Sequence, residues 1–171
     1  MNLQSWMEAD IRWTERLRLA ERPSAAHTLA AIAAHSGDSW FWALGLVIVW
    51  VTGEAQAKAW AVRLLAAIAA LAAIVLLIKF GVRRRRPEGS WGTIYRATDP
   101  HSFPSGHAAR AVLLAILVTA WGPPWLAAVL IPWAPLVSLS RVAMGLHYLS
   151  DVLAGAALGL VAATAALLII P

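Results

Sequence analysis

Eight residues in this chain have types and spacings that suit phosphoryl transfer. They fall in three clusters. The first is KFGVRRRRP, where Lys79 and the Arg86–Pro87 pair are separated by six residues. The second is PSGH at 104–107, and the third is SRVAMGLHYLSD at 140–151, which carries Arg141, His147 and Asp151. Lys79, Arg86 and Arg141 offer three cations to a dianionic phosphate, and the two arginines can bind it in bidentate fashion. Ser105 and the Gly106 N–H stand at an expected helix start, where unpaired backbone N–H groups favour anions. Donors fixed in this way stabilise charge as it develops on transferring oxygens. His147 and Asp151 are four apart, on one helical face if a helix begins by His147. Asp151 can then accept from one ring nitrogen and leave the other free to attack. His107 could protonate the leaving oxygen. The scheme needs no metal and no other cofactor.

The rest of the chain must position these groups, and it reads as membrane-embedded. Of 171 residues, 60% are hydrophobic and 13% charged, against about 25% charged in an ordinary soluble domain. The absence of cysteine excludes disulfide and thiolate chemistry. No cleavable signal peptide is expected, because the N-terminus is charged and lacks an apolar core before a small-residue cleavage site. The net charge of +5 does not point to nucleic acid, because the basic residues flank apolar stretches where anionic lipid is the nearer partner.

The expected architecture is all-α: a bundle of about five transmembrane helices preceded by an amphipathic surface helix. Residues 5–22 form that surface helix, with a solvated helix packed on the body as the alternative reading. Ser5 and Glu8 resemble a capping box, Trp6, Ala9, Trp13, Leu17 and Ala20 form an apolar stripe, and Pro23 ends it. Residues 1–23 are thus an interfacial unit and 24–171 the transmembrane domain. Residues 27–36 give a short apolar helix. Spans are expected at 39–53, 59–80, 104–122, 125–143 and 148–170, the second meeting the roughly 20 residues a full crossing needs. Pro132 and Pro135 predict a kink in the fourth, and Gly155 and Gly159 allow close helix contact in the fifth. Residues 79–103 form the one long polar stretch. A chain leaving one membrane face in the third span returns to it in the fourth, so all three clusters sit on one side.

The three-part pattern K-x6-RP, PSGH and SR-x5-H-x3-D resembles the type 2 phosphatidic acid phosphatase (PAP2) superfamily, which also contains vanadium haloperoxidases and bacterial acid phosphatases. Every specified position is matched, and the resemblance covers roughly residues 24–170. It implies an all-helical fold and a phosphohistidine intermediate. His147 would be the nucleophile, Asp151 its partner and His107 the acid. Lys79, Arg86, Ser105, Gly106 and Arg141 would bind phosphate. Many membrane members have six spans; here the surface helix stands in place of the first.

The expected function is hydrolysis of a lipid phosphate or diphosphate in the plasma membrane. Polyprenyl diphosphate, phosphatidate, phosphatidylglycerophosphate and a polyprenyl-linked sugar phosphate are the substrate classes, and the partners are that substrate and membrane lipids. A vanadate-dependent haloperoxidase and a non-catalytic lipid-binding or transport protein are the alternatives. The spans oppose the first, and intact His107, His147 and Asp151 oppose the second. Arg83, Arg84 and Arg85 read as an interfacial anchor, with substrate contact as the alternative, His101 as a loop residue or one lining the pocket mouth, and His27 and His35 as packing or interfacial residues. Arg110 reads as support for the site or as a structural ion pair. Basic residues on the motif side are Arg12, Arg16, Arg18, Arg22, Lys79, Arg83, Arg84, Arg85, Arg86, Arg96, Arg110 and Arg141, against Lys58 and Arg63 opposite. The positive-inside rule therefore points to a cytoplasmic site, although many bacterial relatives in the resembled family face outward.

Overall fold

The computed structural model describes residues 3–19, 22–89 and 99–170. Ala20 of the amphipathic stripe and Arg96 of the charge pattern lie outside the described residues. Within them the chain is all-helical: α1 Leu3–Leu17, α2 Ala25–Ser36, α3 Ser39–Thr52, α4 Ala55–Val82, α5 Gly106–Trp121, α6 Pro124–Ala143 and α7 Leu149–Ile169.

Three of these helices, α4, α6 and α7, are long and apolar enough to cross a membrane. At 1.5 Å per residue, the 28 residues of α4 rise about 42 Å, more than the roughly 30 Å hydrocarbon core. The sequence separates 27–36 from a first span at 39–53. In the structure α2 and α3 are one bent unit, meeting at 52° and passing as a span only together. The third expected span, α5, has 16 residues and rises about 24 Å. It can be short because it is the central helix. Nine of its residues are buried, including Ala108, Leu113, Leu114 and Leu117. Its neighbours present the lipid-facing surface instead, with Leu76, Leu77 and Phe80 of α4 and Leu160, Val161 and Leu168 of α7 exposed. The helix α6 runs unbroken through Pro132 and Pro135.

Two boundary expectations shift. The helix α1 already includes Leu3, so Ser5 lies inside it and does not cap it. It ends at Leu17, ahead of Pro23. It also packs on the body through polar contacts: Leu149 N donates to Thr14 Oγ1 (3.0 Å) and Leu19 N to Ala143 O (2.8 Å). Its apolar side, with Trp6, Met7, Ile11, Trp13 and Leu17, stays exposed.

The α5–α7 contact sets the geometry of the bundle. Gly155 and Gly159 face the α5 backbone so closely that an added Cβ would overlap the carbonyl oxygens of Ser105 and Ala109 respectively. The closeness lets Ser105 N donate to Asp151 O at 2.9 Å, tying the start of α5 to the start of α7. A second tie holds the α2–α3 bend against α6. Trp42 Nε1 donates to Ser36 O (3.0 Å) and Trp133 Nε1 to Ser36 Oγ (2.8 Å), with the two indoles 5.1 Å apart.

Gly159→Ala should therefore strain the bundle. Overpacking of this kind costs about 1–3 kcal/mol, or about 2–12 °C in thermal midpoint for a chain of this size. Gly45→Ala, where a Cβ meets nothing within 4 Å, is the control. Thermal unfolding of both variants in detergent should separate them, and equal midpoints would contradict the assignment.

Candidate active site

The polar chain after α4 turns back over the bundle end. Arg83 closes α4 in the left-handed conformation (φ 53°), and its Nε donates to Phe80 O at 2.8 Å. Arg85 pairs with His101 in a single antiparallel bridge, and Ser102 N donates to Arg84 O (2.8 Å). His101 stacks edge-on against Phe80, and its carbonyl accepts from Lys79 Nζ at 3.0 Å.

Six of the eight residues singled out in the sequence line one cavity of about 340 Å³: Lys79, Arg86, Gly106, His107, Arg141 and His147. The other two stand just behind it. Ser105 is buried as the N-cap of α5, its hydroxyl 3.5 Å from Ala108 N. Asp151 is fully buried beside His147. An apolar wall from α4, with Ile68, Leu71, Ala72, Val75 and Leu76, lines the same cavity.

The cations are buried. Lys79, Arg86 and Arg141 expose 4%, 8% and 1% of their surface. Buried charge is costly unless paired, and Asp99 supplies part of the pairing. Its carboxylate contacts Lys79 Nζ and accepts from Arg86 Nη2 (2.9 Å), while its carbonyl accepts from Arg86 Nε (2.8 Å). Nothing in the sequence marked Asp99, which is one of several polar residues in the 79–103 stretch.

Arg86 also settles the tautomer of His147. Its Nη1 lies 3.1 Å from His147 Nε2. A guanidinium can only donate, so Nε2 carries the lone pair and the ring proton sits on Nδ1. That nitrogen faces Asp151 Oδ2 at 3.6 Å, an electrostatic contact longer than a hydrogen bond. Burial first, then the charges of Arg86, Arg141 and Lys79, hold the imidazole well below its usual 6.5. His147 is thus a neutral ring whose Nε2 lone pair accepts from Arg86 at the edge of the cavity.

The spacing of His147 and Asp151 works differently from the sequence expectation. The helix α7 begins at Leu149, so His147 lies in the preceding turn, where its N–H donates to Arg141 O (3.2 Å). Asp151 reaches back as a helix cap, with Oδ2 accepting from Tyr148 N at 2.9 Å.

His107 has a carboxylate of its own, which the sequence reading did not single out. Asp38, at the α2–α3 bend, places Oδ1 2.7 Å from His107 Nε2 and Oδ2 3.2 Å from His35 Nδ1. An acid between two apolar helices was the available signal, because charge at such depth usually serves a site. Arg110 pins the same bend, donating from Nε to Gly37 O (3.0 Å) and from Nη1 to Ser39 Oγ (2.6 Å). His35 is exposed and engages Asp38, whereas His27 is buried in the bundle.

The reading of Arg83, Arg84 and Arg85 as one anchor is corrected for Arg84. Arg83 and Arg85 are exposed, but Arg84 turns inward. Its Nη1 donates to Asp151 Oδ1 and Ser150 Oγ, and its Nη2 to Asp10 Oδ2, each at 2.7 Å. Burial alone would lower the Arg84 guanidinium, but Asp10 and Asp151 outweigh it and hold it above its usual value.

Comparison with known proteins adds a family. A family model described as the PAP2 superfamily matches residues 60–171. Over 89 residues, 51% of this chain, the sequence is 45% identical to decaprenylphosphoryl-5-phosphoribose phosphatase from two strains of Mycobacterium tuberculosis. The match spans about half the length (48%) of those relatives. Two solved structures share the fold. One is the transmembrane PAP2-type phosphatidylglycerolphosphate phosphatase of Bacillus subtilis, with TM-score 0.75, 24% identity, and coverage of 95% of this chain and 84% of that one. The other is Aquifex aeolicus LpxE, with TM-score 0.72, 22% identity, and coverage of 92% and 93%.

The electrostatics of His147 can be read without turnover. Its ¹⁵N imidazole resonances at pH 6 should be those of a neutral ring protonated at Nδ1. Lys79→Met, by removing one facing cation, should raise its titration midpoint. A midpoint at or above the model-compound value of about 6.5 in the parent protein would contradict the geometry.

Proposed function

The chain belongs to the PAP2 superfamily, and on that premise we propose that it is a membrane phosphatase hydrolysing a lipid phosphate through a phosphohistidine intermediate. The observation that carries this reading is His147 Nε2 held at Arg86 in a cavity that also holds Lys79 and Arg141; a bound phosphate would draw the Arg86 N–H to its own oxygen and free the lone pair. His147 Nε2 attacks phosphorus while the bond to the leaving oxygen breaks. Lys79, Arg86, Arg141 and the Gly106 N–H take up the charge on the non-bridging oxygens, the phosphate displacing the Asp99 carboxylate from Lys79 and Arg86. Ser105 fixes the helix start that presents this N–H.

His107 is the acid. With the phosphate dianion bound, His107 enters as the imidazolium, its Nε2–H held by Asp38, and Nδ1–H is the proton delivered to the leaving alkoxide. The same nitrogen then takes a proton from water, whose oxygen attacks the phosphohistidine and releases inorganic phosphate. Asp151 stabilises the positive charge that His147 gains in the first step.

The apolar α4 wall beside the cations supports a lipid substrate, because a tail could follow Val75, Leu71 and Ile68 into the bundle. A polyprenyl-linked sugar phosphate heads the panel of substrates, since the Mycobacterium relatives carry that kind of name. Polyprenyl diphosphate, phosphatidate and phosphatidylglycerophosphate complete it. The basic residues concentrated at the motif end support a reading in which that end faces the cytoplasm of a plasma-membrane protein.

Phosphate release from the panel in detergent tests the activity. His147→Ala should abolish it, and Asp151→Asn should reduce it severely while leaving residual turnover. Near-native turnover by His147→Ala would sink the mechanism. The charge in the cradle is supplied by side chains, so activity should persist in EDTA and vanadate should inhibit as an analogue of the trigonal-bipyramidal transition state. A strict requirement for added Mg²⁺ would contradict this. For sidedness, a cysteine at exposed Glu88 in the cysteine-free chain should label with a membrane-impermeant thiol reagent only after cells are permeabilised. Labelling of intact cells would place the site outside.

A further inference from the structure

The motifs account for the groups around the cavity but give no task to the inward-turned Arg84. Arg84 is a variable position of the first motif, between Lys79 and Arg86, yet it reaches the far side of Asp151 from the cavity. Asp151 is fully buried, and a buried carboxylate needs an opposing charge. Its two oxygens are used differently. Oδ2 takes the Tyr148 N–H and faces His147 Nδ1, whereas Oδ1 takes Arg84 Nη1. Rotation of the carboxylate away from His147 would have to break the Arg84 contact.

Arg84 is itself fixed from three directions. Its guanidinium carbon lies 4.0 Å over the Tyr148 ring, Nη1 also holds Ser150 Oγ, and Nη2 holds Asp10 Oδ2. Asp10 belongs to α1 and bonds the start of α7 as well, with Oδ1 accepting from Ser150 N at 2.9 Å and Oδ2 from the Ser150 hydroxyl (2.5 Å). A continuous chain of charge-assisted hydrogen bonds thus runs from α1 through Arg84 to the aspartate behind the attacking histidine. Such bonds are about twice as strong as neutral ones and directional. A lysine at 84 could not bond Asp10, Ser150 and Asp151 together from one planar group.

We propose that Arg84, held by Asp10 of α1, is a positioning residue that orients Asp151 toward His147, making the N-terminal helix a working part of the active site. The role rests on the phosphatase reading, and it acts on the rate of attack and not on phosphate binding, because Arg84 does not line the cavity. The helix α1 keeps its apolar side, with Trp6 and Trp13, turned outward. Seating of α1 on a bilayer and alignment of Asp151 are therefore linked through one guanidinium.

The test is a double-mutant cycle in detergent with the best substrate of the panel. Arg84→Gln should lower kcat about 10- to 100-fold, the range seen when a ligand's supporting partner is removed. KM and the inhibition constant of inorganic phosphate should stay within about twofold, well under the factor of ten that 1.4 kcal/mol represents. Arg84→Lys should recover part of the loss, and Asp10→Asn should show a smaller loss of the same kind. In an Asp151→Asn background, Arg84→Gln should add little, because the group it positions is already altered. The same full loss in that background, or a rise in KM with kcat intact, would overturn the proposal. Should Arg84→Gln unfold, Arg84→Lys and Asp10→Asn carry the same comparison. A readout independent of turnover separates this idea from the phosphatase reading. The His147 Nδ1–H resonance should shift in the Arg84→Lys and Asp10→Asn proteins as Asp151 loses its orientation. An unchanged resonance would overturn the positioning role even in a protein that hydrolyses every lipid phosphate tested, and a shifted one would support it in a protein that hydrolyses none.

Discussion

The approach of α5 to α7 through Gly155 and Gly159 is the constraint on which the site depends. With no side chain at either position, the backbone of α5 comes close enough for Ser105 N to reach the Asp151 carbonyl. That contact brings the PSGH segment and the segment bearing His147 and Asp151, far apart in sequence, to one end of the bundle. In a bilayer, helices gain little from hiding leucine from lipid, so close packing over small residues carries much of the association. The same feature that stabilises the bundle therefore sets the distance between the two histidines. The helix α5 gains a second property from its central place. Enclosed by its neighbours, it does not have to match the full bilayer thickness.

Electrostatics supplies the second organising idea. Among the described residues, the cations Lys79, Arg84, Arg86, Arg110 and Arg141 lie wholly or largely inside the structure, and each would be costly there without partners. The partners are distributed by role. Asp99 meets Lys79 and Arg86 on the cavity side. Asp10 and Asp151 take Arg84 on the opposite side. Arg110 is satisfied by the Gly37 carbonyl and Ser39 hydroxyl at the α2–α3 bend. The cavity is left with surplus positive charge, which favours a phosphate dianion and keeps His147 neutral. In the proposed mechanism, anion binding and attack by the imidazole would both draw on this one charge distribution.

Each histidine is backed by a carboxylate from a different element. Asp151 comes from the first turn of α7 and Asp38 from the bend between α2 and α3. The bend is held to α6 by the indoles of Trp42 and Trp133. Elements with no recognisable motif thus hold the second layer of groups, and they do so through breaks and caps, where backbone polar groups are already free to bond side chains.

The sequence by itself determined the fold class and singled out the candidate groups. Its three spaced clusters named the cations, both histidines and Asp151, and its hydrophobic blocks named an all-helical membrane bundle, because motif spacing and apolar periodicity are local properties of the chain. The glycine pair in the last helix was visible too. Tertiary structure decided the rest. That 27–36 and 39–53 form one bent unit depends on indoles meeting Ser36 across the bundle, not on either segment's hydropathy. That His147 precedes α7, with Asp151 reaching back as its cap, depends on where the helix starts by a margin of two residues. Asp99 and Asp10 could not be told from ordinary polar residues, and Asp38 was marked only by its place between two apolar helices, since each acquires its partner only from the cation or imidazole that folding places beside it. Arg84 looked like its neighbours in a run of four arginines. Only the turn of the chain after α4 aims it inward, while Arg83 and Arg85 are left at the surface, because the buried carboxylate of Asp151 requires a charge on its far side.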